Sequence, residues 1–145
     1  MKTRLLVVED GHEYVERFRR FLTHEFDIVR AGCLAEARDQ LVSGCCGLLL
    51  DLDFRRTSPA ELVDEQGQTR ADLPADEHKR LAESQGIFLL RALRAGGRVE
   101  PALLFADIDD AEQVSFLERS LAPLEILGGD VSLPDIVRRI RAMVG

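Results

Sequence analysis

Leu48-Leu49-Leu50-Asp51-Leu52-Asp53 decides how the rest of the chain is read. Gly47 to Leu52 is the most apolar strand-length run in the sequence, and it ends on acids. An unbroken apolar run of this length predicts a strand covered on both faces. Leu5-Leu6-Val7-Val8 repeats the pattern near the N-terminus and ends in Glu9-Asp10.

Between and beyond these runs the period changes. Tyr14, Phe18, Phe21 and Leu22 recur at helical spacing, and Phe26 to Ala31 predicts a second strand. Leu34, Ala37, Arg38 and Leu41 carry a second helix closed by Gly44. Ile87, Leu89, Leu90 and Leu93 give a third, stopped by Gly96-Gly97. Pro101 to Phe105, Ala111 to Leu121, Leu124 to Leu127 and Pro134 to Val144 supply strand, helix, strand and helix. Five βα units in a row predict an α/β fold: a doubly wound, flavodoxin-like (βα)₅ domain with one parallel five-stranded sheet. The 145 residues fit a single domain over 1–145. In such a sheet the functional side chains sit just after the carboxyl ends of the strands.

Composition narrows the partners. The net charge of −7 and pI near 5.0 argue against nucleic acid, which needs a basic footprint. No apolar stretch approaches the roughly 20 residues that span a bilayer, and no secretory signal opens the chain. Cys33, Cys45 and Cys46 lack zinc-ligand spacing and are expected as buried free thiols in a reducing cytoplasm.

The strand ends concentrate acids: Glu9 and Asp10, then Asp51 and Asp53, then Asp107, Asp109 and Asp110. A single acid after a strand is ordinarily a solvated loop residue. If the first and third strands are neighbours, three carboxylates share one small space and repel. A hard divalent cation with oxygen ligands, Mg²⁺, would resolve the conflict. A carboxylate beside such an ion can attack a phosphoryl group.

These stretches, with Gly86-Ile87-Phe88-Leu89-Leu90-Arg91-Ala92-Leu93-Arg94, Pro101-Ala102-Leu103-Leu104-Phe105 and Ile136-Val137-Arg138-Arg139-Ile140-Arg141-Ala142, resemble bacterial response-regulator receiver domains over nearly the whole chain. The resemblance implies a two-component or phosphorelay module with Asp51 as phosphoacceptor. It implies Asp10 as a Mg²⁺ ligand, Glu9 acting through water, and the Asp53 backbone carbonyl completing the metal contacts. The partners implied are a histidine kinase or phosphotransfer protein, a downstream protein, and a second copy of the chain. With no effector domain after Gly145, protein–protein contact is the expected output, and no turnover enzyme is expected.

Three features depart from the family pattern. Ala106 stands where the family has Thr or Ser, and Gly129 where it has Lys. The chain's lysines are Lys2 and Lys79, neither near the fifth strand. A buried charge-assisted hydrogen bond contributes about 1.5–3 kcal/mol, so these losses weaken an aspartyl phosphate and remove the hydroxyl that switches. A phosphorylation-independent pseudo-receiver is therefore the competing expectation. The third departure is length: Phe54 to Gln85 adds about 25 residues to a loop that usually has about 2–6. The insertion, about 55–85, should start a helix at Asp72-Leu73-Pro74, with Asp72 as cap, running on as one long third helix through Ala82, Gly86, Leu89 and Leu93. Arg55, Arg56 or Lys79 is expected to supply the missing cation; otherwise the segment is a solvated charged insertion.

An enzyme reading competes more weakly. Asp51-x-Asp53 also resembles the nucleophile motif of haloacid-dehalogenase-like phosphatases, with Asp109-Asp110 as later metal acids. That motif normally follows the first strand, and its hydroxyl position here is Arg55. His12, His24 and His78 read as ordinary loop residues, and Gly128-Gly129 as a turn. Phe116, Leu117 and Leu121 fit either a partner face or the core.

Overall fold

A computed structural model of the chain describes residues 3–22 and 24–144. Five strands, β1 (Thr3–Val8), β2 (Phe26–Ala31), β3 (Gly47–Asp51), β4 (Ala102–Phe105) and β5 (Leu124–Leu127), form one parallel sheet in the order β2-β1-β3-β4-β5. The helices are α1 (Glu13–Leu22), α2 (Leu34–Val42), α3 (Ala75–Glu83), α4 (Gln85–Ala95), α5 (Ala111–Ser120) and α6 (Leu133–Val144). The expected doubly wound (βα)₅ arrangement is present, with α3 added by the insertion.

The pleat explains the unbroken apolar runs Leu5-Leu6-Val7-Val8 of β1 and Leu48-Leu49-Leu50 of β3. Leu6, Val8, Leu48, Leu50 and Leu104 face one side, against α2, α4 and the insertion. Leu5, Val7, Leu49, Leu103 and Phe105 face the other, against α1 and α6. Both faces are covered, so alternation disappears from the sequence. Registers Val8↔Leu50 and Asp51↔Phe105 bring the ends of β1, β3 and β4 to one edge.

The insertion is more than a solvated loop. Leu62, Val63, Leu81 and Ala82 join the core, and Phe54 beside them is fully buried. The buried Gln85 amide receives the Val63 N–H at 2.8 Å and donates to the Val63 carbonyl at 2.9 Å, fastening the inserted segment to the start of α4.

Several expectations need correction, and His78, read as a loop residue, lies within α3. The single long third helix is two, α3 and α4, broken at Ser84 (φ −124°, ψ 18°). The break lets α4 abut the end of β3: Gly86 N–H donates to the Leu52 carbonyl at 3.0 Å, and a Cβ on Gly86 would overlap the Asp51 carbonyl oxygen. Pro74, not Asp72, occupies the cap of α3, with no side-chain capping bond. Phe21 of the first apolar set is half-exposed, while Val15 fills its place in the core. Of the three residues on α5 and after it, Leu117 and Leu121 are core and Phe116 is exposed. The three cysteines are free; Cys33 is buried, Cys45 and Cys46 only partly. Among the described residues, no helix is long and apolar enough to cross a membrane.

Candidate functional site

The carboxyl edge of β1, β3 and β4 carries the expected acids, and each has a different partner. Val8 ends β1, and the chain turns through Glu9, Asp10 and Gly11 into α1. Arg30 at the end of β2 holds this turn by donating to the Glu9 carbonyl (3.1 Å) and the Gly11 carbonyl.

Glu9 is buried, and both its oxygens are committed. Oε1 accepts the Tyr14 N–H at 3.1 Å and Oε2 the Val15 N–H at 2.8 Å. A buried carboxylate is thereby neutralised by the first turn of α1, where the helix dipole is positive. Glu9 is a helix-capping group in this arrangement.

Asp10 is nearly buried, with its side chain 5% exposed, and is taken by one residue. Arg56 donates its backbone N–H to Oδ2 at 2.9 Å and its guanidinium to Oδ1 at 3.1 Å. The same guanidinium forks onto Glu13 at 2.7 and 3.1 Å. That contact holds the Glu13 carboxyl down at about 2, chiefly through the Arg56 hydrogen bond, and raises the Arg56 pKa in return. Gly11 makes room for it, since a Cβ there would clash with Glu13 Oε2 and with the guanidinium.

Asp51, the last residue of β3, is half-buried, and its Oδ1 accepts the Leu52 N–H at 2.9 Å. Burial pushes its pKa up to about 6, the Leu52 bond works against this, and the charges of Asp10, Glu9 and Asp53 add to the rise. The register of β1 and β3 brings Asp10 and Asp51 to the same edge of the sheet. Tyr14 lies beside them, its ring stacked on Phe105 with centroids 5.0 Å apart. Burial, then the Asp51 charge, raises the tyrosine's pKa.

On the β4–β5 side, Asp51, Leu52, Asp53, Phe105, Ala106 and Asp107 face Gly128 and Gly129 across a cleft of about 320 Å³. Asp107 accepts the Gly129 N–H at 2.7 Å, so a carboxylate stands where a lysine at position 129 would reach. A second, more open depression of about 590 Å³ lies over α1, lined by Glu13, Tyr14, Arg17, Arg20, Asp51 and Arg56.

Of the three expected cations, Arg56 reaches the site. Arg55 turns to Asp53 at 2.7 Å, and Lys79 lies along α3 near Glu83 at 3.9 Å. Asp110, one of the acids of the phosphatase reading, caps α5 by accepting from the Glu112 and Gln113 N–H groups. Glu13, Arg30 and Tyr14 went unnoticed as site residues in the sequence, where Asp107 stood only among the acids after the fourth strand. The Arg56–Glu13 pair spans 43 positions and has no local pattern.

The chemistry of the donor set tests the implied Mg²⁺. Each Glu9 oxygen already accepts a backbone N–H, both Asp10 oxygens are bonded to Arg56, and the described residues contain no group of three ligating side chains suited to a metal ion. As arranged, these residues do not fit Mg²⁺.

No family model matches the chain, and no curated protein does. Solved structures do. The BeF₃-activated N-terminal receiver domain of Klebsiella pneumoniae RstA is 16% identical, with a TM-score of 0.64, over 98% of this chain and 98% of that one. The receiver domain of the Francisella response regulator 1452 is 14% identical, with a TM-score of 0.67, over 99% and 97%. The non-phosphorylated HemR receiver domain of Leptospira biflexa is 17% identical, with a TM-score of 0.66, over 99% and 95%. The fold of this chain is the receiver fold over its whole length.

Proposed function

We propose that the chain is a signal-transduction receiver module of the two-component type, which acts by protein–protein contact and does not depend on phosphorylation of Asp51. The receiver fold supports the first part. One observation carries the second. The cleft beside Asp51 brings together the carboxylates of Asp51, Asp53 and Asp107 with Arg17 as its cation, a methyl at Ala106 and no side chain at Gly129. A phosphoryl dianion placed there meets like charge and lacks both the hydroxyl and the ammonium that would hold it. The test is intact-mass analysis after incubation with acetyl phosphate and Mg²⁺. The expected result is no phosphoryl adduct. A stoichiometric adduct that Asp51→Ala abolishes would overturn this reading.

A second reading has its own support. Asp51 closes β3 half-buried, and burial, with nearby acids adding to it, pushes its pKa up to about 6, the setting of a reactive carboxylate. In that reading Asp51 accepts a phosphoryl group from a histidine kinase or phosphotransfer protein, with Mg²⁺ held by Glu9, Asp10, Asp51 and the Asp53 carbonyl. It needs Arg56 to leave Asp10 first, since the acids as arranged offer no metal seat. In either reading the cell compartment is the cytoplasm and the partner is a protein, a second copy of this chain included.

A further inference from the structure

We infer that Arg56 is the resident cation of the acidic pocket, doing the charge-balancing work that a divalent metal would otherwise do, so that the pocket is complete without metal. The inference rests on the phosphorylation-independent reading above and assigns the group that stabilises it.

Four observations point the same way. First, one residue takes both oxygens of the nearly buried Asp10, through its backbone N–H and its guanidinium. Second, the other edge of that guanidinium is forked onto Glu13, so its donors are shared between two carboxylates in the geometry that arginine favours over lysine. Third, Gly11 leaves the space the guanidinium fills; any side chain there would clash with it and with Glu13. Fourth, the arginine arrives on an anchored stalk. Phe54, two residues before it, is fully buried and donates its N–H to the Ala82 carbonyl at 2.9 Å, and Thr57 N–H closes the turn onto the Phe54 carbonyl at 3.1 Å.

The electrostatics are simple. Two carboxylates and one half-buried aspartate at the end of β3 repel unless a positive charge stands between them. A guanidinium supplied by the chain meets that need at no cost of capture from solution. It also excludes Mg²⁺: the ion would need the same Asp10 oxygens and would be repelled by the fixed charge. Arg56 and Mg²⁺ are therefore competing occupants of Asp10.

The experiment is a Mg²⁺ titration of the full chain, wild type against Arg56→Gln and Glu13→Gln. It is followed by thermal melting and by the fluorescence of Tyr14, the chain's single tyrosine, which borders Asp51. Wild type should show no saturable fluorescence change and no shift in Tm at millimolar Mg²⁺. Arg56→Gln should melt lower without metal, regain Tm with Mg²⁺, and bind it at least about tenfold more tightly than wild type. Glu13→Gln removes an exposed partner without touching the core, so it folds; it should fall between the two. Wild type binding Mg²⁺ as tightly as the variants, or both variants as unresponsive as wild type, would overturn the inference. The parent reading is scored separately by the mass of each sample after acetyl phosphate. Mg²⁺ binding by wild type without an adduct sinks the Arg56 assignment alone. An adduct on wild type that forms in EDTA sinks the phosphorylation-independent reading alone.

Discussion

Gly86 sits where α4 meets β3, and its lack of a side chain fixes how closely the two approach. A Cβ there would overlap the carbonyl oxygen of Asp51 and come within 3.1 Å of Leu104 Cδ1. Backbone cannot rotate away as a flexible side chain can. Gly86→Ala should therefore destabilise the chain by about 1–3 kcal/mol, although alanine has the better helix propensity. Urea unfolding measures this. A stabilised variant would show that α4 can slide off the strand end. The same close approach was invisible in the sequence, where Gly86 reads as one more small residue in a helical stripe. Asp51 and Asp10 were legible because one ends an apolar strand and the other follows one closely. The use made of Glu9 was not. Its burial depends on where α1 begins, and nothing in Val7-Val8-Glu9-Asp10 says which acid turns back to the helix and which faces the pocket.

The inserted segment shows how far pattern reading reaches. Its helical stripe Ala82, Gly86, Leu89, Leu93 is real, and each of those residues is buried. The stripe did not reveal the break at Ser84, because period alone is blind to a change of backbone angle at one residue. The fastening belongs to Gln85, whose amide satisfies the Val63 N–H and carbonyl and also donates to the Leu81 carbonyl at 3.1 Å. Gln85→Ala leaves two buried backbone groups without partners, each costing about 1–3 kcal/mol. Amide exchange should quicken at Val63, and protection should fall from Leu62 to Gln68 before it falls in β3. Unchanged exchange at Val63 would mean that packing of Leu62 and Val63 alone holds the segment.

For the molecule as a whole, the sheet order and the pairing of strand ends followed from five apolar runs, since a parallel sheet covered on both sides leaves few alternatives. What the runs do not encode is the charge balance at their ends, which depends on Arg56 and Glu13 meeting from distant parts of the chain. That balance should appear in stability against pH. The folded state holds the Asp51 proton up to about 6, above the ordinary range of an unfolded aspartate near 4. Between those values the folded chain binds more protons than the unfolded one, so this group's contribution falls as pH rises through the window. Asp51→Asn stays neutral and can still accept the Leu52 N–H. It should match wild type near about pH 4 and exceed it by about 1 kcal/mol near about pH 7, a figure reduced because Asp51 is only half-buried. Denaturant midpoints at the two pH values decide this; equal differences at both would show that Asp51 is already relieved of its neighbours' charge.

Phe54, Leu62, Val63 and Leu81 make the detour between β3 and α4 part of the core. The segment lengthens the connection and also fills volume under the sheet. Cutting it back to a short link would remove four buried side chains from that core and leave a void in their place. The segment's exposed side chains can be exchanged at little cost, whereas its core-facing ones tie the detour to the fold.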